Sequence, residues 1–84
     1  MPKYFFHLLI DASFTPDEQG EELADFRTAC ARARQTLGLV IADELADAKD
    51  IIHATIMVDD QDGVRVANLK AVTSVAASES PFAQ

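Results

Sequence analysis

Few residues of this chain could do chemistry: His7, His53, Cys30, and the carboxylates of two acidic stretches, Asp17 to Glu22 and Asp59 to Asp62. Two imidazoles beside an acidic side chain would suit zinc or another divalent ion, and an acidic surface would attract it. His7 and His53 are therefore the metal-ligand candidates. Their separation matches no ligand spacing, and a histidine on a half-buried strand is ordinarily an amphipathic residue with its polar tip satisfied. Asp59-Asp60-Gln61-Asp62-Gly63 looks like a calcium loop. With its glycine in register, however, the first ligand position falls on Val58 and the bidentate glutamate on Leu69, so the run reads as a solvated hairpin turn. As a nucleophile, Cys30 would need a basic neighbour, and Arg27 and Arg34 lie within helical reach. Its place on an apolar stripe makes it a core residue instead. Asp17, Glu18, Glu21 and Glu22 offer paired carboxylates without a basic or nucleophilic partner and read as solvated charge. Gly20, Gly38 and Gly63 stand too far apart to cradle a phosphate. No catalytic residue and no cofactor is expected, and an enzyme is the less expected outcome.

The elements that must position these residues follow from periodicity. Asp25 to about Ala46 is the only stretch long and periodic enough for a long helix. Phe26, Cys30, Ala33, Leu37, Val40 and Ile41 recur every three or four residues as one apolar stripe, and Asp25 suits the N-cap. An ideal wheel puts Glu44 inside that stripe and Leu39 opposite it. Gly38, which costs about 1 kcal/mol relative to alanine, predicts a bend or a close backbone contact. Arg27, Arg32 and Arg34 precede Asp43, Glu44 and Asp47, an order opposed to the helix dipole and suited to two helices packed antiparallel.

Tyr4 to Ile10 reads as a strand with Tyr4, Phe6, Leu8 and Ile10 on one side and Phe5, His7 and Leu9 on the other, both mostly apolar. Ala12 to Leu23 reads as a connecting loop, with a turn at Thr15-Pro16-Asp17 that also carries a helix-start signature. Ile51 to Val58 and Val64 to about Leu69 read as a hairpin turning at Asp62-Gly63. Its apolar face is Ile52, Ala54, Ile56 and Val58, with His53, Thr55 and Met57 opposite. Beyond Leu69 the chain extends the strand or forms a short helix.

Composition bounds the rest. At 84 residues the chain holds one core, burying roughly 60% of its unfolded surface. A content of 49% hydrophobic residues is too apolar for disorder and more than so small a monomer hides comfortably. The charge of -7, from 14 acidic and 7 basic residues, repels nucleic acid and anionic lipid. One cysteine without a partner suits a reducing compartment, and neither a signal peptide nor a membrane span is visible, so the cytoplasm is expected.

Three segments carry a resemblance: the opening Met1-Pro2-Lys3-Tyr4-Phe5-Phe6-His7-Leu8, the loop Pro16-Asp17-Glu18-Gln19-Gly20 with Glu22-Leu23 and Asp25, and the hairpin Val58 to Gly63 followed by Val64 and Val66. Together, over roughly residues 1 to 70, they resemble a family of small bacterial proteins of unknown function that open Met-Pro-x-Tyr-Phe-Phe-His. The resemblance implies a cytoplasmic bacterial domain of this architecture and makes His7 a motif member. It implies no activity, substrate or catalytic residue.

These readings predict an α+β fold in β-α-β-β order: a three-stranded, mainly antiparallel sheet with one long helix packed on one face. Residues 1–77 form the domain and 78–84 a flexible tail. The predicted function is a non-catalytic homo-oligomeric interaction module. It would be a homodimer joined through a face carrying Phe5, Leu9, Met57 and Ala67 or Leu69, through the helix's outer side near Leu39, or both, with another protein as a further possible partner. The alternative is a small-molecule or divalent-metal site on the sheet face around His7 and His53.

Overall fold

The computed structural model describes residues 1–78. Its first strand, β1 (Lys3–Ile10), is followed by two short strands, β2 (Ser13–Thr15) and β3 (Glu21–Glu22). The helix α1 (Phe26–Ala46) leads to the hairpin strands β4 (Ile51–Asp60) and β5 (Arg65–Ser74). The fold is α+β, with one helix on an antiparallel sheet, but the sheet has five strands rather than three and the order is β-β-β-α-β-β.

The two additional strands lie in the segment read as a loop. β1 pairs β4 on one side, leaving the outward N–H and C=O groups of its other side to be satisfied. β2 takes one end of that edge, with Leu9 opposite Phe14, and β3 the other, with Tyr4 opposite Glu21. The chain reverses at Asp11, whose φ of 51° is left-handed, and turns again at Gly20 with φ 71°. No helical turn forms after Thr15.

β4 lies between β1 and β5 and has the clearest alternation. Ile52, Ala54, Ile56 and Val58 are buried beneath α1, whereas Ile51, His53, Thr55 and Met57 face away. A bulge at Val58/Asp59 precedes the turn, where Gly63 has φ 80° and the Asp60 carboxylate accepts from the N–H groups of Asp62 and Val64, each at 2.9 Å. β5 extends to Ser74, which excludes a helix there.

Asp25 caps α1 as expected, accepting from Thr28 N–H at 2.8 Å and from the Thr28 hydroxyl at 2.7 Å. The helix runs uninterrupted through Gly38 to Ala46, and Ala48 reverses the chain with φ 65°. Its buried stripe is Ala29, Ala33 and Leu37, backed by Val40 and Ile41. Phe26, expected to open the stripe, is 49% exposed. Alanines let the helix sit close to the sheet, a role that carries little weight in a pattern drawn from hydrophobicity. Glu44 escapes an unpaired burial through the Lys49 ammonium, which also reaches Asp11 at 3.6 Å. Among the described residues no helix is long and apolar enough to cross a membrane. Residues 79–84 of the expected tail lie outside the described residues.

Candidate functional site

Strand register places His7 on the sheet face away from α1, directly opposite Met57, with Asp59 one step along the same face. Asp17 N–H donates to His7 Nδ1 at 3.0 Å, so Nδ1 is unprotonated. The neutral ring therefore carries its proton on Nε2, which donates to Asp59 Oδ2 at 3.2 Å. The other Asp59 oxygen accepts from Arg65 Nε. The His7 and Asp59 side chains are 17% and 16% exposed, so this chain of contacts is largely shielded from water. The Arg65 guanidinium, with His7 behind it, holds the Asp59 carboxyl below the usual range despite partial burial.

Asp17 is tied as tightly. Burial pushes its carboxyl upward, but N–H donors from Gly20, Phe6 and Gln19 outweigh that and lower it. Oδ2 accepts from Phe6 at 3.0 Å, while Oδ1 takes Gln19 at 3.1 Å and Gly20 at 3.0 Å. The carboxylate thus fills the gap in β1's outer edge between β2 and β3. The loop is thus held to the sheet through Asp17 and His7, and His7 in turn reaches the Asp59–Arg65 pair of the hairpin.

Around this cluster the open face mixes apolar side chains with the polar ones of His53, Thr55, Asn68 and Lys70. Phe5 and Leu9 flank His7, the Phe14 ring lies 6.1 Å from the imidazole, Met57 stands opposite His7, and Ile51 and Val72 lie further along β4 and β5, beyond Thr55 and Lys70. Phe14, Ile51 and Val72 are 54%, 61% and 57% exposed.

A family model described as a domain of unknown function, DUF6894, matches residues 3–77. The chain belongs to that family. No curated protein and no solved structure matches it.

Within the DUF6894 domain, His7 and His53 share the open face but not a site. His53 pairs with Val72, four residues along β4 from the position opposite His7, about 13 Å at strand rise. Both ring nitrogens of His7 are engaged, and among the described residues no three His, Cys, Asp or Glu side chains cluster to hold a metal. Cys30 is half-buried on α1, away from this face. Phe5, Leu9 and Met57 lie on the open face, but Ala67 and Leu69 do not: they pair with Val58 and Ile56 and face the core beneath α1, while Leu39, 66% exposed, stands on the helix in the other layer. Asp17, read from sequence as solvated charge, is instead the loop's anchor. The signal that marks it is a glycine three residues on, the spacing of an aspartate-capped turn. Asp59 and Arg65 carry no such mark, because only the register brings them to His7.

Proposed function

We propose that this domain is a non-catalytic homo-oligomeric assembly module whose copies meet through the open sheet face. The observation supporting this reading is the exposure of Phe14, Ile51 and Val72 on the face that also carries half-buried Phe5, Leu9 and Met57, with the polar side chains of His53, Thr55 and Lys70 between the two groups. A sheet covered by a helix on one side has to bury an apolar second side elsewhere, and here the chain supplies no second layer among the described residues. A second copy meets the requirement by symmetry, since an isologous contact sets the same patch on both sides. The lone cysteine suits a reducing compartment and supports a cytoplasmic location.

Light scattering after gel filtration at tens of micromolar tests the reading. The expected result is a mass that is a multiple of 9.1 kDa, halved by Leu9→Asp and by Phe14→Asp, the latter at an exposed position where folding is spared. A wild-type monomer, or two folded variants of unchanged mass, overturns it. A thermal-shift screen with zinc and common metabolites addresses the site around His7 and His53: no stabilisation is expected, and stabilisation by zinc that disappears in His53→Ala would favour that alternative.

A further inference from the structure

The segment between β2 and β3 is fastened to the sheet through a single residue. Among the described residues, two hydrogen bonds tie residues 16–20 to β1, and both belong to Asp17: its carboxylate accepts from Phe6 N–H at 3.0 Å, and its own N–H donates to His7 Nδ1 at 3.0 Å. The N–H groups of Gln19 and Gly20 turn inward to the same carboxylate, so they shape the loop without fastening it. One of the two fastenings therefore ends on a titratable ring. A backbone N–H can bond only to an imidazole nitrogen whose lone pair is free.

The groups that face the ring decide how it answers a proton. Asp59 of β4 accepts from Nε2 at 3.2 Å, Arg65 of β5 stands behind Asp59, and Asp17 comes from the loop. β2 brings the Phe14 ring and no charge. Lys3 of β1 pairs with Glu22 of β3 at one end of this face, while Lys70 of β5 and His53 of β4 lie the other way along it, past Met57. The carboxylates of Asp17 and Asp59 favour an imidazolium, and each is held below its usual range, so both keep their charge in mild acid. At Nδ1, however, a new N–H would point at the Asp17 N–H, and two donors cannot share that contact. Turning the ring over puts carbon in both places and forfeits Asp59 as well.

We infer that His7 is a proton-operated latch on this loop: neutral, it holds Asp17; charged at Nδ1, it keeps Asp59 and releases Asp17, so that residues 16–20 lift from the outer edge of β1. The second fastening goes with the first, because N–H and carboxylate belong to one residue. Phe6 N–H then opens to water between β2 and β3, which stay paired. The sign follows from the proton count. The latched ring is neutral and the released ring is charged, so release takes up one proton and falling pH favours it. A free imidazole titrates near pH 6.5, so a proton excluded from the latch raises the opening constant by up to about thirtyfold between pH 8 and pH 5. The latch works within one chain and does not depend on how copies associate.

Amide hydrogen exchange followed by NMR on the full chain tests the latch, with protection corrected for the intrinsic pH dependence of exchange. Protection of the Phe6 and Gly20 N–H groups should fall about thirtyfold from pH 8 to pH 5, while Ile56 N–H in the central strand stays within about threefold. His7→Asn sets an amide oxygen where Nδ1 stands and cannot be charged, so in that variant both amides should keep the same protection across the range. His53→Ala, which removes the other imidazole, should leave the fall intact. A second measurement needs no variant: the ring nitrogen shifts of His7 should show Nδ1 without a proton at pH 8 and gaining one in step with the loss of protection at Phe6. Protection that is flat in the wild type, or that falls equally in folded His7→Asn, overturns the latch. So does a ring that gains its Nδ1 proton while Phe6 stays protected. The mass of the assembly enters none of these outcomes, so the sheet-face reading stands or falls separately.

Discussion

Asp17 shows how much one carboxylate holds. Its two oxygens take three backbone N–H groups, its own N–H fixes the tautomer of His7, and His7 passes the constraint to Asp59. Asp17→Asn keeps the size and one good acceptor but loses the charge, and should cost about 1–2 kcal/mol at pH 7, discounted for partial exposure. The pH dependence has a definite sign. The folded carboxyl lies below its ordinary 3.8, so its contribution is complete above 3.8 and is lost as the pH falls through the lower folded value. Urea titrations of the two proteins should therefore differ most near neutrality and converge in acid below 3.8. A gap that persists unchanged into acid would mean that the side chain's shape, and not its ionisation, holds the loop.

At the scale of the element, two glycines make opposite demands. Gly20 has φ 71°, and a Cβ there would come within 3.0 Å of both Phe5 Cε1 and Tyr4 C=O, the latter part of β1's fixed backbone. Gly20→Ala should cost about 2–4 kcal/mol, a large share of the stability of so small a domain. Gly38→Ala, in open helix, should stabilise the separated chain by about 1 kcal/mol. Chemical denaturation at low protein concentration compares them, and equal effects would refute the assignment. The same contrast explains what the sequence could reveal. β1, α1 and the β4–β5 hairpin were legible because each repeats its period several times, and Asp25 because a cap has a fixed place relative to its helix. β2 and β3 were not legible, being two or three residues long and held by backbone pairing that leaves no side-chain period. Ala29 was missed as a core residue because its value is closeness, not hydrophobicity. In the candidate site, His7 was legible as a residue, but Asp17, Asp59 and Arg65 reach it from segments that only the register brings together. The paired histidines failed for the same reason: parity gave the common face but not the distance along it.

For the whole molecule, the tension lies between apolar contacts that invite assembly and a charge of -7 on each chain that opposes it. Two such charges about 25 Å apart repel by roughly 8 kcal/mol in unscreened water, and by about 3–4 kcal/mol at 0.01 M salt, where the Debye length is about 30 Å. Near 1 M, with a Debye length of about 3 Å, the term vanishes. Repulsion is therefore the salt-sensitive term, and the sheet-face contact, being mainly apolar, is if anything strengthened by salt. Assembly should tighten as sodium chloride rises from about 0.01 M to about 1 M, read as a shift of the sedimentation distribution toward the larger species at fixed protein concentration. Dissociation on adding salt would mean that attraction between charges outweighs net repulsion, and would move the principal contact from the apolar face to the charged flank of the helix.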